Sequence, residues 1–267
     1  MNIADLTITS LETISAFDIA TGNLKFILDE LQSASIANTQ EKSDITGKGG
    51  RKLSSIKRNK AVTISGSNGM VSGGLMGVQT GGSFDNKETL IMWQDYLTVE
   101  TGNKVTTAYK AVGTEGAEIV DVLVKNADGT EGAHLTQAES AAAGKFAYAP
   151  DTKILTLHTD ITAGTEIVVY YKRKIQADVL ENKSDAYSEK VSLYVDAMAE
   201  DKCSNVYRIQ FYIPKADFSG EFSIEMGDNQ TVHSFEAESL AGGCGALGAS
   251  GSLWTYTVFG ANTEDVA

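Results

Sequence analysis

The stretch that decides the fold runs over residues 43–82, SDITGKGGRKLSSIKRNKAVTISGSNGMVSGGLMGVQTGG. It opens on a turn made of Gly47, Lys48, Gly49, Gly50, Arg51 and Lys52, whose glycines suit the positive φ angles of a tight reversal. From Leu53 to Ser65 apolar and polar residues alternate, which predicts a β-strand. Asn68 to Thr80 then offers a cap and an apolar run, a helix in which three internal glycines each cost about 1 kcal/mol relative to alanine. Such a helix forms only where packing offsets that cost, and its glycines suit close approach by a backbone such as that of a neighbouring subunit.

Charge sets this hairpin apart. Lys48, Arg51, Lys52, Lys57, Arg58 and Lys60 crowd together in a chain whose formal net charge is -13. Apart from those six, 16 basic residues face 35 acidic ones. A basic projection on an acidic body is suited to binding further copies of itself, although edge lysines also guard against aggregation. The acidic balance excludes a reader of DNA sequence, because such proteins gather Lys and Arg to displace phosphate counterions. A conduit is different, since an acidic wall denies passing phosphates a partner; the same acidity also serves solubility.

Period-2 alternation recurs along the chain, at Leu24 to Leu31, Val62 to Ser65, Leu90 to Val99, Thr165 to Arg173 and Leu253 to Phe259. In Tyr187 to Ala197 the face of Val191, Leu193 and Val195 opposes Lys190, Ser192 and Asp196. Tyr207, Ile209, Phe211 and Ile213 form another apolar face, which Pro214 is expected to end. Between Lys104 and Ile175 the rhythm changes, with strands at Ile119 to Val124, Ile154 to His158 and Glu166 to Tyr171. The box Thr136-Gln137-Ala138-Glu139 predicts two turns of helix ending at Gly144. Residues 104–175 therefore read as an inserted β-rich subdomain with one short helix, within a core made of 1–103 and 176–267. A single continuous sheet is the competing organisation.

No catalytic, cofactor or metal constellation is legible, and the expected class is not an enzyme. His134, His158 and His233 lie far apart in sequence without ligand-type neighbours, and no phosphate loop or calcium loop pattern occurs. Cys203 and Cys244 lack metal spacing and read as two buried free thiols. Neither a signal peptide nor a membrane span is expected, which places synthesis in a cytoplasm. Trp93, Tyr96, Trp254 and Tyr256 alternate within strands and read as core or interface.

The basic glycine turn with its strand, the Asn68 to Gly82 segment, the runs Lys145 to Tyr148 and Tyr170 to Lys174, Phe218 to Phe222, and Leu253 to Phe259 together resemble the tail tube (major tail) proteins of bacteriophages. The resemblance implies a mainly β sandwich or barrel with a short flanking helix and a long inter-subunit loop or hairpin. It further implies hexameric rings stacked into a hollow tube that conducts DNA during ejection, and a subunit made in the bacterial cytoplasm that ends in the virion tail. Its partners would be other copies of itself, the terminator, tape measure and baseplate proteins, and DNA that passes without specific binding. The inter-ring contact would fall on Gly47, Lys48, Gly49, Gly50, Arg51, Lys52, Lys57, Arg58 and Lys60. Asp29, Glu30, Glu189, Asp196 and Glu200, expected on barrel strands, would line the lumen. A capsid decoration or baseplate protein, or a monomeric carbohydrate-binding module, are the alternatives.

Overall fold

A computed structural model describes residues 5–126, 128–227, 232–242 and 251–260. In chain order its strands are β1 (Leu6–Asp18), β2 (Leu24–Leu28), β3 (Leu31–Thr46), β4 (Lys52–Asn68), β5 (Asp85–Thr98), β6 (Lys104–Thr106), β7 (Ile119–Lys125), β8 (Glu131–Gln137), β9 (Lys145–Ala149), β10 (Ile154–Thr156), β11 (Glu166–Val179), β12 (Lys190–Asp201), β13 (Val206–Phe218), β14 (Ile224–Glu225), β15 (Val232–Ser239) and β16 (Thr255–Gly260). A 3-10 turn at Lys48–Gly50 joins β3 to β4, and one helix, α1 (Gly73–Thr80), follows β4. The protein is mainly β, with two sheets, as the alternation predicts. By its contacts the chain divides into Met1–Phe84 with Leu180–Ala267, and Asp85–Val179.

In the first unit the strands run in the order β2-β1-β12-β13-β15-β4-β3, with β14 on β15 and β16 on β13. The two ends of this path, β2 and β3, are joined by Asp29 and Glu30 alone. So short a link between opposite edges is possible only if the sheet curls until those edges approach one another. Its concave side holds the core. Val191, Leu193, Val195, Ala197 and Ala199 of β12 are buried in strict alternation; the first three share a core with Ile14, Phe26, Ile64, Ile213 and Phe235 from the other strands, and the two alanines form a smaller one with Ile209. Each valine, leucine, isoleucine or phenylalanine among them contributes about 1.5–3 kcal/mol on burial. Pro214 does not end its strand. It lies where β13 carries an extra residue opposite β12, between the pairs Val191↔Ala216 and Leu193↔Ile213, a bulge being a place where a strand tolerates a missing N–H.

Helix α1 packs into this core through Leu75 and Val78, with the Ser72 hydroxyl accepting from the Leu75 N–H at its start. The glycine cost is offset inside the chain. A Cβ on Gly74 would stand 2.7 Å from the Phe26 Cβ and 2.8 Å from the Lys25 carbonyl oxygen, so a side chain there would push the helix off β2. The helix ends at Gly81, whose φ is 68° and whose N–H bonds back to Gly77.

The second unit follows the order β5-β11-β7-β8-β9-β10-β6. Its end strands are again neighbours in sequence and are drawn together by the bridge Glu100↔Lys104. Val105, Val122, Phe146, Leu155, Val169 and Tyr171 are among its buried residues. The buried Asp95 carboxylate accepts from the Ala108 N–H at 2.8 Å, the Tyr171 hydroxyl at 2.8 Å and the Trp93 indole N–H at 3.0 Å. Burial, and then Asp95, push the Tyr171 hydroxyl far above the usual phenol range, so it remains a donor at any physiological pH. The Arg173 guanidinium lies over the rings of both Trp93 and Tyr109, 4.1 and 3.7 Å from their centres, in the corner made by two rings set edge to face, a cation–π contact with each.

Two expectations are corrected here. Thr136 and Gln137 form no helix: they pair in parallel with Lys145 and Phe146 of β9, and the Gln137 side chain accepts from the Ile119 N–H. Tertiary pairing overrides the local capping signal. The second unit also begins at Asp85 and ends at Val179, outside 104–175, because β5 pairs with β11 over its whole length.

Gly81 gives a direct test of the packing around α1. A Cβ there would lie 2.1 Å from the Tyr187 carbonyl oxygen, in addition to the left-handed backbone that alanine resists. Gly81→Ala should lose about 2 kcal/mol or more by denaturant unfolding, whereas Gly22→Ala, at a similar φ in open space, should lose roughly half of that or less.

Candidate assembly site

Strands β3 and β4 are longer than the sheet that carries them. β15 pairs with β4 only over Thr63 to Asn68, so among the described residues the two strands pair with each other alone from Asn38 and Val62 outward. At the base of this projection the register shifts between Thr39 and Glu41. Asn59 there takes a left-handed φ of 53° and donates from its side chain to Glu41 at 2.7 Å, which fixes a bulge. All nine residues expected to make the inter-ring contact lie on this projection. Lys52 pairs with Asp44 at 2.7 Å. Lys48, Arg51, Lys57, Arg58 and Lys60 are exposed and have no acidic partner among the described residues. Three large aliphatic side chains are exposed beside them: Ile45 (44%), Leu53 (65%) and Ile56 (46%).

The five acidic residues expected along the lumen are not collected on one strand. Asp196 and Glu200 stand on β12, on the face opposite the core, where Asp196 accepts from the Gln210 side chain at 2.8 Å. Asp29 and Glu30 are exposed in the link between β2 and β3. Glu189 precedes β12 and is paired with Lys25 at 2.7 Å. Sequence reading missed what surrounds Asp196. The rings of Tyr194 and Tyr212 stack at 4.6 Å and, with Phe17, Asp18 and Gln210, wall an open cleft of about 490 Å³. Tyrosines at polar-face positions of two neighbouring strands were the available signal. Of the four singled-out aromatics, Trp93 and Trp254 pack against the two cores, while Tyr96 and Tyr256 are exposed.

Against known proteins, the family described as the YomU/Tube protein family matches residues 6–249. The chain belongs to that family. A comparison with curated proteins gave no match. The likeness to phage tail tube proteins read from the sequence is thereby borne out, and this Tube-family chain belongs with structural proteins of the phage tail. Among its described residues no group of three or more His, Cys, Asp or Glu is arranged to hold a metal ion, and no helix is long and apolar enough to cross a membrane. Cys203 is exposed, not buried, because it sits in the turn after β12; Cys244 lies outside the described residues.

The histidines of this Tube protein serve its structure in opposite electrostatic senses. His233 is buried, its Nδ1 accepting from the Ser72 N–H and its Nε2 donating to the Gln79 side chain at 2.8 Å, so it ties both ends of α1 to β15. Burial pushes its pKa down. The folded unit keeps it neutral while the unfolded chain gains a proton below about pH 6.5, so this unit loses stability as pH falls through that value. His134 is exposed between Glu131 and Asp121, each at 2.8 Å, and those hydrogen bonds raise its pKa. Its contribution is fully present below about pH 6.5 and is lost as pH rises through the higher folded value. Hydrogen exchange corrected for intrinsic rate should therefore quicken at α1 and β15 between pH 7.5 and 5.5, and slow at β7 and β8. His233→Gln and His134→Gln should each flatten the response of their own unit; unchanged profiles would refute both assignments.

Proposed function

We propose that this chain is a tail tube subunit that joins head to tail into rings of six, and that the rings stack into a hollow conduit for passage of the viral genome into the host. The observation that carries this reading is the projecting hairpin. A two-stranded ribbon standing alone in water is marginal, and this one leaves aliphatic side chains exposed and five cations without acidic partners among the described residues. It becomes satisfied on the surface of a neighbour that is acidic overall. The region from Asn38 to Lys60 holds 7 of the 22 basic residues and only 2 of the 35 acidic ones, so contact between copies is favoured by charge as well as by burial. A contact between two different patches repeats indefinitely unless the rotation closes, which is the geometry of rings and stacks.

In that assembly Asp196 and Glu200, with Asp29, Glu30 and Glu189, contribute negative charge to the lumen and keep phosphates from adhering. Terminator, tape measure and baseplate proteins are the further partners, and the finished subunit resides in the virion tail.

Negative-stain electron microscopy over a concentration series should show hollow tubes of stacked rings. Replacing Lys48, Arg51, Lys57, Arg58 and Lys60 together by serine should abolish tubes while leaving the melting temperature within about 2–4 °C, because exposed unpaired charges contribute little to the fold. Tubes that form equally well without those charges would sink the hairpin contact. Reversal of Asp196 and Glu200 to lysine should leave tubes intact and slow DNA ejection from assembled virions, and unaltered ejection kinetics would remove them from the lumen.

A further inference from the structure

The curled sheet of the first unit is not filled along its whole length. Where β1 and β3 meet the middle of β12 and β13, an open cleft of about 490 Å³ remains, lined mainly by Ile8, Leu11, Ile36, Ala197, Phe211 and Trp254. Ile8 is 57% exposed, and Leu11, Ile36, Phe211 and Trp254 are only partly covered by the core beside them. The polar lining, Ser33, Ser35 and Asn38 among it, is neutral. Open apolar concavities of this size in a folded protein commonly mark a binding surface.

We infer that this cleft receives the aliphatic tip of the hairpin from a second copy of the chain, with Leu53 and Ile56 as the inserted side chains. The inference rests on the hairpin contact proposed above and names its receiving surface. Three observations favour this occupant. The knob and the hole are both aliphatic and both left exposed. The charges agree: Lys48, Arg51, Lys57, Arg58 and Lys60 flank the knob without acidic partners among the described residues, while outside Asn38 to Lys60 the chain carries 33 of its 35 acidic residues against 15 of its 22 basic ones. The hairpin tip cannot fill the cleft of its own chain, because β3 runs in extended conformation from Ile36 in the cleft to Ile45 near the tip, about 30 Å at ~3.3 Å per residue. Since knob and hole lie apart on one chain, the contact is head to tail and self-propagating.

That geometry has a signature that a symmetric contact lacks. Leu53→Asp with Ile56→Asp removes the knob and spares the hole, whereas Ile8→Asp with Ile36→Asp spoils the hole and spares the knob. At a concentration where the unaltered protein gives tubes, each double variant alone should stop at rings or smaller. An equal mixture retains one good knob facing one good hole, so it should give paired units, one of each kind, and no tubes; native mass spectrometry with one variant isotopically labelled reads the composition. Cleft variants that still form tubes, while knob variants do not, would overturn the cleft and leave the hairpin contact standing. Knob variants that form tubes normally would overturn both. Circular dichroism melting of each variant guards against loss of fold, and a cleft variant that melts early is replaced by Ile8→Asp alone, at a side chain more than half exposed.

Discussion

A two-residue link governs the architecture of the first unit. Asp29 and Glu30 join the strands that stand at opposite edges of a seven-strand path, and no flat sheet permits that. Curling follows, and from curling comes an inside. Alternation on β12 and β13 then has a definite meaning: one set of side chains enters a concave core, and the other, with Tyr194, Asp196, Gln210 and Tyr212, is left on the outer face. Bulges at Pro214 and along β1 supply the local bending that a regular ladder resists. Helix α1 fits because Gly74 allows it to lie directly on the backbone of β2.

The same curl determines what is left unsatisfied. A sheet that nearly closes still leaves its long strands β3 and β4 running beyond the last pairing partner. Covering that extension within the chain would require more sheet, and β15 stops short of it. The result is a subunit whose core is complete and whose projection is not. For a Tube-family protein this division is functional: the fold stands by the burial of residues such as Leu193 and Ile213, while the projection gains its environment from association. Opposite charge on hairpin and body lets the approach begin at long range, and the aliphatic residues act only after contact, when water is expelled.

Much of this was legible in the residues themselves. Alternation located β4, β5, β11, β12 and β13, though not β1 or β3, and the glycine-rich basic turn marked the hairpin, since both signals depend on neighbours in sequence. What escaped was non-local. The capping box at Thr136 is a sound local signal, yet the partner that displaced it, β9, lies beyond a turn whose pairing no short window reports. Asp85 to Asn103 read as part of the main sheet because nothing in that stretch reveals that its ladder partner is β11. The acidic residues were visible as residue types, but whether Glu189 is free or paired with Lys25 is decided by the fold. The open aliphatic cleft was hidden for the same reason, being assembled from five strands and Trp254, spread along the chain.

The pairing of Asp85 with Val179 bears on how the first unit can form at all. The chain leaves that unit after Phe84 and returns at Leu180, so on its own account the first unit must close a gap on the order of 100 residues, which as flexible chain costs about 4 kcal/mol of entropy beyond a constant. Once β5 and β11 are zipped, the two ends are held at one cross-strand distance, about 5 Å, and the gap behaves as a turn. The second unit thus acts as a staple in the unfolded-state balance of the first, and the long in-register ladder of β5 with β11 is what closes it.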